Sequence, residues 1–291
     1  MIRLGGHRGS GCTDSPHAEP YGRFKPPENT LPSIAQAIRT GADFIEIDVV
    51  QTKDNKLAVT HSNALSQHVA PQVGMKTDMG FVSEYTLADL KKIPVGMHQK
   101  GEMPELCEVF DVCKNVVLNI EIKDAKGTHD EKFKPGKPLL LELLAEVLTA
   151  YKGEVLLSSF SMWDILKAKE LMPKANVAML FAGLNEDERP IYQSREDASR
   201  YLQFTPENIQ KVASCVQLKS VNPCMGCLTK EAVKTCETLG LEVAVWSMDE
   251  RPPQENPSPV KACVQLCQKF NRPLTIITDF IPEMRQFLEK T

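Results

Sequence analysis

In the segment Phe44-Ile45-Glu46-Ile47-Asp48-Val49-Val50, five of seven residues are apolar, and the two that are not stand two positions apart. So apolar a run reads as a strand buried on both faces, the kind found in parallel sheets. Side chains two apart on a strand point to one face, so Glu46 and Asp48 lie together. Asn119-Ile120-Glu121-Ile122-Lys123 repeats the pattern and sets a carboxylate beside an ammonium. Working outward, further strand-like segments are Ile2–Gly6, Val116–Ile122, Val155–Phe160, Val177–Phe181, Cys215–Leu218, Val243–Trp246 and Leu274–Thr278. Helical patterns alternate with them. They are Thr30–Arg39, Pro138–Ala150, Ser161–Leu171 with its Ser-x-x-Asp cap, a helix opened by Thr205-Pro206, and Thr229–Leu239 ending at Gly240. Alternation over the whole length predicts a parallel sheet, and about eight repeats predict an α/β fold of the closed (β/α)8 TIM-barrel type. An open doubly wound sheet is the competing arrangement.

Two segments break the rhythm. Ser10–Pro27, rich in Gly, Pro, Ser and His, follows the first strand. A stretch from about 62 to 103 follows the second and reads as an insertion within a single barrel domain spanning residues 1–291. It carries a weak helical signal at Thr86–Lys92. Both segments emerge at the carboxyl ends of strands, where such barrels place their active sites.

The chain has 291 residues, with 34 Lys+Arg against 38 Asp+Glu and a formal net charge of -4. No basic footprint suggests nucleic acid. The longest apolar segment is broken by Glu142 and Glu146, so it reads as an amphipathic helix and no transmembrane segment is expected. The opening Met1–Gly9 lacks the pattern of a secretory signal. With nine cysteines, an odd number, the expectation is reduced thiols and a cytoplasmic protein. Cys224-x-x-Cys227 with Cys263 and Cys267 has metal-ligand spacing, but ordinary thiols are the preferred reading.

The candidate chemistry gathers at one barrel mouth. His7-Arg8-Gly9 follows the first strand, and His61 follows the short strand Leu57–Thr60 that returns from an Asp54-Asn55 turn. Two imidazoles suit a reaction needing one base and one acid near neutral pH. Arg8 offers a planar donor set to a phosphate. Glu46, Asp48 and Glu121 brought together call for a hard divalent cation; solvated or Lys/Arg-paired strand-end acids are the plainer alternative. Pro27-Glu28-Asn29-Thr30 opens the first helix, with its backbone N–H groups expected to face the mouth. Trp246, at the end of a strand, either walls the pocket or packs. Met75, Met79, Met97 and Met103 either face an apolar substrate group or fill a small core. Thr52-Lys53-Asp54 reads as a hairpin device.

Taken in order along the chain, Gly6-His7-Arg8-Gly9, Pro27-Glu28-Asn29-Thr30, Glu46-Ile47-Asp48-Val49, Val59-Thr60-His61, Asn119-Ile120-Glu121-Ile122-Lys123, Val245-Trp246-Ser247 and Thr278-Asp279 resemble the glycerophosphodiester phosphodiesterases. The resemblance implies a (β/α)8 barrel with a small insertion after the second strand. It implies a divalent cation, Mg²⁺ or Ca²⁺, on Glu46, Asp48 and Glu121, and catalytic histidines at His7 and His61. Arg8 and Lys123 would bind the substrate phosphate, with Glu28, Asn29 and Trp246 as supporting or pocket residues. The implied activity is hydrolysis of a small-molecule glycerophosphodiester to glycerol 3-phosphate and an alcohol, with a route by way of a cyclic phosphate open to it. Two alternatives stand beside it: a lysophospholipase D-like or sphingomyelinase D-like activity on lipid phosphodiesters, and a non-catalytic barrel that binds phosphate ligands. The chain departs from the family at Ser62, where Asp is usual. The loop Ser10–Pro27, with His17, Tyr21, Arg23, Phe24 and Lys25, is where substrate selection is expected.

Overall fold

A computed structural model describes residues 1–13, 21–65, 79–123, 139–181, 202–247 and 251–290. In chain order its elements are β1 (Ile2–Gly6), α1 (Leu31–Arg39), β2 (Phe44–Gln51), β3 (Leu57–Val59), α2 (Leu87–Leu90), α3 (Leu106–Cys113), β4 (Val117–Ile122), α4 (Leu140–Leu148), β5 (Val155–Ser159), α5 (Met162–Leu171), β6 (Asn176–Phe181), α6 (Pro206–Cys215), β7 (Ser220–Pro223), α7 (Lys230–Thr238), β8 (Glu242–Trp246), α8 (Ser258–Lys269), β9 (Leu274–Thr278) and α9 (Ile281–Glu289). The strand order is β1-β9-β8-β7-β6-β5-β4-β2-β3, with β1 also paired to β2. Eight parallel strands in this order form a closed (β/α)8 barrel. β3 is the extra strand and runs antiparallel to β2.

The chain divides into two compact units, Gly6–Val155 and Met1–Gly5 with Leu156–Thr291. In the first, β2 and β4 pair in parallel with Glu46 opposite Asn119 and Asp48 opposite Glu121. Both strands are buried nearly throughout, which explains their unbroken apolar runs. Thr52 builds the β2–β3 turn: its hydroxyl donates to Asp54 Oδ1 (2.6 Å) and accepts from the Lys56 N–H (3.0 Å). Asn55 completes the turn with φ of 60°. Asp54 Oδ1 also accepts the Leu87 N–H (3.0 Å) at the start of α2.

The segment after β3 has a core of its own. Val50 and Ala58 from the hairpin pack with Leu65, Val82, Leu87, Leu90, Val95 and Met103, and Met79 sits against them. Met79 and Met103 therefore fill a small core, while Met97 is exposed and Met75 lies outside the described residues.

In the second unit, β5 to β9 pair side by side in parallel. One expected strand is displaced. Cys215 ends α6, and the strand begins at Ser220. Helix α6 is capped by Thr205 and carries buried Ile209 and Val212, so its amphipathic pattern claims Cys215. The true strand is concealed by Ser220 and Asn222, whose side chains bond each other inside the sheet (2.9 Å). Among the described residues no helix is long and apolar enough to cross a membrane.

Candidate active site

The acids are placed by register. Because Asp48 faces Glu121 across the β2–β4 ladder, the two same-face pairs become one cluster. Oxygens of Glu46, Asp48 and Glu121 all lie within 4.8 Å of one another. These three residues are 4%, 1% and 8% exposed. Lys123, two residues beyond Glu121, bonds that carboxylate and reaches Asp48 Oδ1 at 3.0 Å.

Arg8 enters from the end of β1 with φ of 50°, a left-handed backbone. That turn aims its N–H at Glu46 Oε2 (2.9 Å). Its guanidinium bonds Glu28 Oε1 (2.6 Å) and lies 3.7 Å from Asp48 Oδ2. Glu28 is gripped from its other side by the Thr13 N–H (2.8 Å), while its own N–H goes to Thr13 Oγ1 (2.9 Å). Asn29, also left-handed at φ of 56°, bridges to Asp48 twice: its amide donates to Oδ2 (2.9 Å) and its carbonyl accepts the Asp48 N–H (3.2 Å). The Asn29 N–H donates to the Arg8 carbonyl (2.9 Å). The expectation that the backbone N–H groups here face the mouth is thus corrected for Glu28 and Asn29, whose N–H groups serve the clasp on Arg8 and Thr13.

His61 is delivered by the hairpin. The Thr60 N–H donates to the Asp48 carbonyl (3.0 Å), fixing the chain where His61 leaves β3. Burial, then the charges of Arg8 and Lys123, hold the His61 pKa well below 6.5, so the imidazole is neutral near pH 7. His7 lies close enough to Glu46 for its charge to act on that carboxyl. Ser62, standing where the family usually has Asp, accepts the Ala64 N–H (3.1 Å) and shapes the turn into the segment that follows.

The electrostatics are lopsided. Burial, reinforced by Asp48, pushes the Glu46 carboxyl up to about 8. Burial also raises Glu121. Burial works the same way on Asp48, but Lys123, Arg8 and the Asn29 amide overcome it and hold Asp48 well below the usual range. Against burial, Arg8 and the Thr13 N–H do the same for Glu28. Lys123 is raised well above its ordinary value, the attraction of Asp48 and Glu121 exceeding the effect of burial. Among the described residues, Arg8 pairs with Glu28 and Asp48, and Lys123 pairs with Asp48 and Glu121. A divalent cation is what this set of converging oxygen donors fits.

Trp246 belongs to the other unit. Its indole N–H donates to the Asn222 carbonyl (3.0 Å) and its ring meets Phe160 edge-on at 5.7 Å. Cys224, Cys227, Cys263 and Cys267 are not joined in disulfides. Cys263 donates to the Met225 carbonyl (3.4 Å), and burial pushes its pKa far up. Among the described residues, only Glu46, Asp48 and Glu121 form a group of metal-ligating side chains. His17 lies outside the described residues.

Thr13 and Cys12 are contributors that the sequence did not disclose. Thr13 is buried against Glu28, and the Cys12 sulfur lies 3.8 Å from the Arg8 guanidinium. No local motif marks either residue; Thr13 acts through Glu28, far along the chain, and Cys12 through Arg8 just before it.

A glycerophosphodiester phosphodiesterase of Caldanaerobacter subterraneus subsp. tengcongensis is 27% identical over 240 residues, 79% of this chain and 83% of the relative. One of Bacillus subtilis is 31% identical over 167 residues, 53% of this chain and 55% of the relative. Among solved structures, an Oleispira antarctica phosphodiesterase in complex with the product sn-glycerol-3-phosphate superposes with a TM-score of 0.68 at 19% identity, covering 99% of this chain and 96% of that one. A Thermotoga maritima glycerophosphodiester phosphodiesterase gives 0.61 at 21% identity, covering 98% of each. The model of the glycerophosphoryl diester phosphodiesterase family matches residues 7–281, from His7 to the start of α9, so the chain belongs to that family and is a phosphoric diester hydrolase.

Proposed function

We propose that the chain hydrolyses glycerophosphodiesters to glycerol 3-phosphate and the free alcohol, with Glu46, Asp48 and Glu121 holding Mg²⁺ or Ca²⁺. The observation that carries this reading is the convergence of three buried carboxylates, whose oxygens lie within 4.8 Å of one another. A divalent cation bound there supplies Lewis acidity at a phosphoryl oxygen and offsets charge that builds in the transition state. Lys123 and Arg8 place fixed positive charge beside the same oxygens. His61, neutral amid these groups, takes the proton of the nucleophile. His7 gives a proton to the departing alkoxide. The neighbouring glycerol hydroxyl attacks phosphorus first, since an intramolecular nucleophile is already positioned, and water then opens the cyclic phosphate. The product held by the Oleispira antarctica relative is of the class assigned here.

The test is release of glycerol 3-phosphate from glycerophosphocholine, with and without a chelator. Turnover that stops on chelation and returns with Mg²⁺ or Ca²⁺ supports the reading, and turnover indifferent to chelation overturns it. A second reading, lysophospholipase D-like activity, is favoured by one observation: Phe24, close in sequence to Glu28, is 78% exposed. Faster turnover of micellar lysophosphatidylcholine than of glycerophosphocholine would select it.

A further inference from the structure

The loop that ends in Glu28 and Asn29 begins with a surface feature that the reaction leaves unexplained. Gly22–Phe24 forms a single 3-10 turn and lifts Phe24 out of the molecule between exposed Arg23 and half-buried Lys25. Phe24 is 78% exposed, more than any other aromatic among the described residues. A hairpin from the segment after β3 is seated on the same loop. Val95 and Gly101 exchange backbone bonds (3.0 and 2.9 Å), and Gly96 lies so close to Pro27 that an added Cβ would sit 2.5 Å from the Pro27 Cγ. Gly96 also has φ of 102°, so only glycine is comfortable there. This close approach sets the exposed tip, Met97-His98-Gln99-Lys100, beside the Phe24 loop.

Charge marks the feature as well. The chain as a whole carries more acids than bases, yet residues 21–27 and 96–101 hold Arg23, Lys25 and Lys100 and no Asp or Glu. Exposed aromatic and thioether groups ringed by cations complement an anionic lipid surface, where apolar side chains enter the acyl boundary and cations meet headgroups. A nucleic acid would engage the cations without giving Phe24 and Met97 a place to be buried.

We propose that the Phe24 turn and the Met97 tip together form a docking knuckle for an anionic phospholipid surface. Its rigid link through Pro27 to Glu28 and Asn29 holds the docked surface next to the catalytic loop. The knuckle is distinct from the reaction assigned above, and its test does not depend on turnover.

The test is co-sedimentation of the full chain with vesicles of phosphatidylcholine alone and of phosphatidylcholine mixed with phosphatidylglycerol. Binding is expected to the mixed vesicles and to weaken with salt. Phe24→Asp should lower partitioning at least tenfold, and Lys100→Gln about fivefold. Leu239→Ala, a change at an exposed leucine of the other unit, should leave binding unaltered. A Phe24→Trp variant should shift its fluorescence to the blue on mixed vesicles. Thermal midpoints should match across the variants, because the replaced side chains are largely exposed. Equal binding to neutral and anionic vesicles, no binding, or full binding by Phe24→Asp overturns the proposal. A concentration-dependent dimer of the wild-type chain that Phe24→Asp dissolves overturns it in favour of a second copy as the occupant.

Discussion

Asn29 serves two purposes with one side chain, orienting the Asp48 carboxylate and satisfying the Asp48 backbone. Its left-handed φ suits Asn better than most residues. Asn29→Ala is expected to weaken cation binding about 10- to 100-fold, as loss of a partner behind a ligand does, with isothermal titration of Mg²⁺ or Ca²⁺ as the measurement. Glu28→Ala leaves the Arg8 guanidinium without its nearest counter-charge, at a cost of about 3 kcal/mol or more, read from the denaturant midpoint. His7→Ala and His61→Ala should each lower kcat by about two to four orders of magnitude while the cation titration stays near wild type. At this scale the sequence disclosed Glu46, Asp48, Glu121 and Lys123, because a spacing of two on a strand dictates a shared face. It did not disclose Thr13, whose hold on Glu28 depends on the path of the intervening loop.

The β2–β3 hairpin shows what an element contributes. It reverses the chain within a parallel barrel and delivers His61 to the carboxyl ends of the strands. Thr52 joins both sides of the turn, so Thr52→Ala should cost about 1–2 kcal/mol and lower kcat more than it raises KM, because His61 loses its placement. Steady-state kinetics on a soluble diester would show the split. The turn was legible from Asp54-Asn55, since few residues adopt its backbone. β7 was not, because Ser220 and Asn222 bury their polarity by bonding each other and hide the apolar signal. The register that brings Asp48 opposite Glu121 was likewise out of reach, since it is set by pairing between strands far apart in sequence.

For the molecule as a whole, the acid cluster is a standing electrostatic cost until a cation offsets it. Saturating Mg²⁺ or Ca²⁺ should raise the thermal midpoint by several degrees, from about 2–3 kcal/mol of binding linkage at 100-fold excess over Kd. A chelator should reverse the rise and Glu121→Gln should abolish it; scanning calorimetry is the check. A second whole-molecule effect lies at alkaline pH. Burial pushes the Cys113 thiol from 9.0 up to about 12. The folded state holds that proton longer than the unfolded chain does. The resulting stability is complete below pH 9 and falls as pH rises from there toward 12. Unfolding free energies across that range should decline, and less steeply in Cys113→Ala. The barrel itself was legible from the strand–helix alternation, because parallel strands must be joined by crossovers that leave a long-period rhythm.

One feature of the strand order bears on how the molecule is made. β1 lies beside β9, and the Leu274 N–H donates to the Met1 carbonyl (3.2 Å). On the ribosome the opening strand therefore emerges roughly 270 residues before this neighbour, and at about 5–20 residues per second it waits many seconds for it. Vectorial synthesis leaves that edge open to chaperones until β9 has been made.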